Sequence, residues 1–397
     1  MTIPLQIEEP RAPPGAPRMA LWELGFRPFF LLASAFAALS IALWALQYTG
    51  RLGRPYLAGP LWHAHEMLFG FVLAVITGFL LTAGRNWSNQ PTPTGAALAA
   101  LAGLWIAGRV LVLTPFGIAA AVVNIAFPLA AALGLARALV AGGNRRNYFF
   151  VGLLVLLAAA AGAVHLDHLG VLALPGFVGI QLGLDVVLFV MAVMAGRVVP
   201  MFTNNAIAGA AAGRRPALER LALGSLPVLL LLDVLQVRGA LFVAVLSLAA
   251  VAHLARWWLW QPWKTLRTPL VWVLHAAYLW IPIHLALRAC AELGEVPPSA
   301  ATHALTVGAI GGLVIGMMTR VARGHTARPL VAGRAEIACY VLVLMAALVR
   351  VFVPLVAPAA TLGSLLLSAA LWSAGFGLYA VTYWPMLSRA RLDGKPG

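Results

Sequence analysis

Charged side chains make up only 10% of the 397 residues, against roughly a quarter in soluble domains. Acidic residues number 12, and lysine supplies just 2 of the 27 basic side chains. So little charge excludes a soluble enzyme or a soluble binding module. The two cysteines, Cys290 and Cys339, are far apart in apolar sequence, which excludes a disulfide framework and a thiolate metal site; each reads as a small buried apolar residue. What is abundant is hydrophobic sequence, at 62% with mean hydropathy +0.92. It falls into twelve stretches, each near the roughly 20 apolar residues that a spanning helix needs. The expected fold is therefore an all-α polytopic membrane protein with about 12 transmembrane helices. A single transmembrane domain is expected over 27–388, between a disordered cytosolic tail at 1–26 and a cytosolic tail at 389–397. The first 20 residues hold Glu8, Glu9 and a series of prolines in place of an apolar core, which does not read as a signal peptide.

A formal charge of +15 and a pI near 11.2 would suggest nucleic acid for a soluble chain, but here the arginines sit at helix ends. Assigned to alternate faces, 21 of the 27 Lys and Arg fall on the side of the two termini. The positive-inside rule then puts both termini in the cytosol. Trp257, Trp258, Trp260 and Trp263 cluster at the cytosolic end of the eighth span, as headgroup-level anchors do.

With that orientation the histidines become informative, because ionisable groups at membrane depth are costly and mark function. His63 and His65 open the second span, His303 opens the tenth, and His284 lies in the outer half of the ninth. The second and tenth spans share a spacing: His65 precedes Gly70, Gly78 and Arg85 at the offsets by which His303 precedes Gly308, Gly316 and Arg323. The glycines fall near the back of each histidine on a helical wheel, which suits close helix packing. Arginines ending the second, sixth and tenth spans hint at three pseudo-repeated four-helix units. Two imidazoles at matched depth on separate helices are what axial ligation of haem b requires; the bland alternative is a helix cap or a bond to a backbone carbonyl. His284 is a further ligand candidate, and Arg54 or Arg288 would serve the haem propionates on the outer side.

His63 and Met67, four apart, offer a nitrogen and a thioether that copper would accept, making His63, His65, Met67 and His303 the metal-ligand candidates. Glu66 would orient an imidazole as an outer-shell carboxylate or complement a helix start. His275 reads equally as a core residue. His165 and His168 read as histidines of a wet outer loop, where a metal ion is conceivable and no role is the usual outcome. Arg197, Arg320, Asn204 and His325, at the cytosolic ends of the sixth and tenth spans, read first as anchors and caps, and second as an anion or quinol-headgroup site.

Four segments in order, Phe26-Arg27-Pro28-Phe29-Phe30, Trp62-His63-Ala64-His65-Glu66-Met67, Gly196 to Asn205 and Gly316 to Thr326, resemble those of the NnrS family over nearly the whole chain. The resemblance implies a polytopic protein of the bacterial cytoplasmic membrane, associated with haem, copper and the response to nitric oxide. More distantly, the architecture is similar to the main subunit of haem-copper oxidases and nitric oxide reductases, by which His65 and His303 would be the axial pair. The sixth and seventh spans carry no histidine, so the second metal site of that group is not encoded where expected.

The leading functional expectation is a haem-binding membrane protein that transfers electrons, binds nitric oxide or quenches metal-nitrosyl species, with quinol as a conceivable electron donor. If it turns over substrate, it is a membrane oxidoreductase. The alternative is a transporter of a metal ion or small anion, built on helices broken at positions such as Pro282.

Overall fold

The computed structural model describes residues 19–48, 51, 55–174 and 177–395. Arg54 lies outside these, as do residues 1–18 of the expected N-terminal tail. No strand occurs among the described residues. The described residues form twelve helical rods: α1 (Phe26–Tyr48), α2 (Gly59–Ser88), α3 (Gly95–Leu111), α4 (Gly117–Ala141), α5 (Phe149–His168), α6 (Val178–Ala206), α7 (Pro216–Val234), α8 (Ala240–Leu259), α9 (Pro269–Glu292), α10 (Pro298–His325), α11 (Arg334–Val356) and α12 (Thr361–Ser388). Ten are long and apolar enough to cross a membrane. Of the others, α3 has 17 residues, and α7 contains Glu219, Arg220 and Asp233. Glu219 and Asp233 are offset inside the bundle by Arg256 and Arg288, so their charges do not face lipid.

Local sequence sets the boundaries. Proline occupies the first turn of α2, α7, α9 and α10, where its missing N–H costs nothing. Asn89, at φ 53°, ends α2 in the left-handed region, one of the few that non-glycine residues enter. Prolines inside α4, α6, α7, α11 and α12 are tolerated because neighbouring helices re-satisfy the freed carbonyls.

Successive helices pack on one another around the bundle, α5 on α6 and α9 on α10 among them, and α1 lies on both α12 and α2. The hinted division into four-helix units does not appear as separate packing groups. The apolar windows of α2, α6 and α10 are 83%, 72% and 72% buried, against 28% for α12, so these three form the inner wall. An apolar cavity of about 60 Å³ lies between them, lined by Val75, Phe79, Met194, Val198, Val314 and Met317 among others. Large apolar side chains such as Val122, Val251, Val356 and Val381 are exposed on the outer helices; a belt of this kind suits acyl chains and is rare on soluble monomers. The two described ends meet at one face. The Ala20 amide donates to the Ser388 carbonyl at 2.7 Å, and buried Arg27, of the Phe26-Arg27-Pro28 segment, donates through Nη1 to the carbonyls of Leu387 and Arg389 at 2.9 and 2.7 Å. We call the opposite face outer.

Candidate functional site

The matched spacing of the second and tenth spans has a structural counterpart. Directly after His65, residues Glu66–Val72 form a π-helical turn; directly after His303, residues Ala304–Gly311 form another. Such turns insert one extra residue into an α-helix and concentrate at functional sites. The first glycine of each spacing lies within its turn, and both are packing positions. A Cβ on Gly70 would sit 2.7 Å from the Arg109 guanidinium, and one on Gly308 would run into the Trp280 indole. The Gly70 carbonyl also accepts the Trp105 indole N–H at 3.0 Å, which satisfies an acceptor in the irregular turn.

The outer tier of α2 to α5 holds a connected polar network. His65 is fully buried, and its Nδ1 donates to Glu66 Oε1 at 2.8 Å. The same carboxylate pairs with Arg109 of α3, which also donates to Asn124 of α4. On its far side, His65 Nε2 faces His165 Nε2 at 3.1 Å. His165 Nδ1 in turn meets the Tyr56 hydroxyl at 3.2 Å, with the two rings stacked at 6°. His168 Nε2 donates to the Tyr56 carbonyl at 2.7 Å. The expectation that His165 belongs to a wet loop is overturned. The unbroken apolar run of the fifth span ends at Val164, but the helix runs on to His168 and buries His165 completely.

Both ring nitrogens of His65 are thus engaged, and His303 is not its partner. His303 donates Nδ1 to its own helix at the Ser299 carbonyl, 2.6 Å away. It shares its electrostatic surroundings with His63 and Arg350. His63 rests its ring on Trp44 at 5.2 Å, while Met67 turns its sulfur to the Ser40 hydroxyl at 3.4 Å. No group of three or more His, Cys, Asp or Glu side chains among the described residues is arranged to hold a metal ion.

His284 is nearly fully buried. Its Nδ1 donates to the Ala301 carbonyl at 2.7 Å, and its Nε2 is buried with no partner. One turn further along α9, Arg288 is already committed, pairing with Asp185 of α6 at 3.3 Å and Asp233 of α7 at 2.5 Å. Arg238 closes this cluster on Asp233 at 3.0 Å. The cluster holds two carboxylates and two guanidiniums, which offsets the cost of burying them. Asp233, Arg238 and the His65–His165 contact were not anticipated.

At the opposite face, the residues considered for an anion site are each used internally. Arg197 donates to Asn147 Oδ1 at 3.0 Å, and Arg320 stacks over Phe202 at 3.6 Å. Asn204 closes the turn after α6 by exchanging two hydrogen bonds with Ala212. The His325 ring lies on Phe26 at 5.5 Å. His275 bonds Thr203 at 2.8 Å, and His253 bonds Tyr278 at 2.6 Å; Tyr278 also accepts from Arg256, which clamps Glu219 with two bonds. These contacts are those of anchors and core residues.

Twelve helices with exposed apolar flanks and an outer tier rich in buried histidine define a multi-pass membrane protein. The NnrS protein family model matches residues 20–391, and the chain belongs to the NnrS family. No curated protein matches it.

Proposed function

We propose that this protein binds haem in the bacterial cytoplasmic membrane, with both termini cytosolic, and acts in the response to nitric oxide. Family membership supports the link to nitric oxide. The observation that carries the haem reading is His284: its Nδ1–H is fixed by a backbone carbonyl, and its Nε2 lone pair is buried with nothing to bond. That is the state an imidazole needs to ligate iron, since the hydrogen bond at one nitrogen sets the tautomer at the other. His303 has the same Nδ1-to-carbonyl arrangement and is the second candidate. The expected pairing of His65 with His303 across one haem does not fit, because the 3.1 Å between His65 and His165 leaves no room for a macrocycle. Arg350 has no carboxylate partner among the described residues and would hold a propionate better than Arg288, which is already paired. Bound haem would supply a redox-active iron that binds nitric oxide or passes electrons, for instance from quinol. The chain orients the imidazoles and keeps water from them. Copper at His63 and Met67 finds no convergent donor set, since His63 rests on Trp44 and the Met67 sulfur faces Ser40.

The test is the reduced-minus-oxidised absorption spectrum of the purified protein, with and without nitric oxide. Haem bands that are lost in His284→Ala or His303→Ala and retained in His253→Gln would support the assignment. Full haem content in both of the first two variants would sink it. Transport is less well supported: the pocket between α2, α6 and α10 is lined by apolar side chains and gives an ion nothing to coordinate.

A further inference from the structure

The hydrogen bonds at the outer ends of α2, α3 and α5 admit a consistent arrangement of protons. Arg109 pairs with Glu66, and an ionised carboxylate only accepts. His65 Nδ1, 2.8 Å from Glu66 Oε1, therefore carries a hydrogen, and in the neutral ring Nε2 is bare. His165 Nε2, at 3.1 Å, must then donate to it, which leaves His165 Nδ1 bare to accept the Tyr56 O–H at 3.2 Å. Every donor meets an acceptor in one direction, from Tyr56 through His165 and His65 to Glu66.

The two ends of this series differ in access. Tyr56 is half-buried in the outer connection before α2 and is held there by its amide bond to the Thr114 carbonyl at 3.0 Å. Beside it, His168 is exposed to the aqueous side. Burial pushes the Tyr56 phenol up to about 12, so it remains a donor at neutral pH. At the inner end Glu66 is fully buried, and its Oε2 has no partner, which leaves the terminus open to a further acceptor. The remaining charged or polar neighbours are Arg109 on α3 and Asn124 on α4.

We propose that Tyr56, His165, His65 and Glu66 form a proton relay that joins the outer aqueous face to the buried outer tier. A proton from water adds to the Tyr56 oxygen as the phenolic proton passes to His165 Nδ1. The His165 Nε2 proton passes to His65 Nε2, and the His65 Nδ1 proton passes to Glu66 Oε1. One proton leaves water and one arrives on the carboxylate; no electrons move and no co-reactant is needed. The Arg109 cation beside Glu66 favours its carboxylate form and so keeps the terminus receptive. The relay goes beyond the haem reading and does not depend on it.

The test uses the full-length protein, labelled with ¹⁵N-histidine, in lipid bilayers. Solid-state NMR, with signals assigned from His65→Gln and His165→Gln, should find His65 protonated at Nδ1 and His165 at Nε2. On transfer to D₂O, Tyr56→Phe should slow exchange of the His65 Nδ1 hydrogen by about tenfold or more, to the rate set by local opening, while Tyr379→Phe leaves it unchanged. Phenylalanine keeps the ring that stacks on His165, and if that variant fails to assemble, the wild-type tautomers alone decide. His65 protonated at Nε2, exchange indifferent to Tyr56→Phe, or both Nε2 atoms bare as a bridging metal ion requires, would each overturn the relay. None of these readouts involves haem, so the two proposals fail separately.

Discussion

His65 of α2 and His165 of α5 stand a hundred positions apart in the chain and meet through their Nε2 atoms at 3.1 Å, with no solvent-exposed surface on either side chain. Two buried imidazoles in contact must share a hydrogen or a cation, and the carboxylate behind His65 decides how that hydrogen is arranged. The neighbouring ion pair is therefore as important to the site as the histidines.

Arg109→Met leaves the Glu66 carboxylate buried without its cation. Breaking a buried pair from one side costs about 3–5 kcal/mol, so the variant should lose much of its thermal stability in detergent. Glu66→Leu combined with Arg109→Met should recover a large part of the loss. A double variant no more stable than the single one would show that the pair is not the stabilising contact.

Gly196 allows the Arg256 guanidinium to lie against α6, where it donates to the Ala192 carbonyl at 2.9 Å, and a Cβ there would overlap that guanidinium. Gly196→Ala should cost about 1–3 kcal/mol, the usual range for overpacking. Gly152→Ala, where an added Cβ meets open space, should show no loss. Melting curves of the two variants, measured side by side, check the difference.

The cavity between α2, α6 and α10, about 60 Å³ and apolar on all sides, should stay dry, as empty apolar cavities do. Xenon applied under pressure should occupy it, and Ala195→Leu should abolish the signal by filling it. Xenon-dependent NMR shifts confined to its lining, or their absence, give the answer.

Orientation can be checked by thiol labelling, because Cys339 is buried and Cys290 partly so. With both termini in the cytosol, Leu172→Cys, on the outer connection after α5, should react with an impermeant reagent in intact cells. Gly209→Cys, after α6, should react only once the membrane is opened. The reverse pattern would invert the topology.

The twelve helices were legible because lipid demands the same signal from each, a long apolar run closed by proline, glycine or arginine. The outer arginines were less so. In a charge tally Arg109 and Arg288 look like topology markers, yet one is buried and the other partly buried, both in ion pairs, and nothing local in the sequence tells a paired arginine from a solvated one. His165 reads as a residue of a wet loop because the apolar run stops just before it, whereas the helix continues one turn to His168 and buries it. The available signal was its spacing from His168, which places both on one side of a continuing helix. The repeated spacing after His65 and His303 was visible, but not the π-turns that follow them, since an inserted residue leaves no mark on hydrophobic periodicity. Angles reckoned on an ideal wheel across those turns are displaced by that residue in both helices alike.

Those turns also give the molecule a mechanical asymmetry. A π-turn contains one residue more than an α-helical path needs, a reserve of about 1.5 Å of axial length. At the opposite face α10 is fixed by the Arg323–Glu336 pair, with Tyr383 on the same carboxylate, and Arg256 fixes the inner end of α8 to α7. Irregular backbone is therefore set at one level of the bundle, in α2 and α10 alike. Each π-turn has a histidine at its start, so that His65 and His303 stand where the regular helical repeat first breaks.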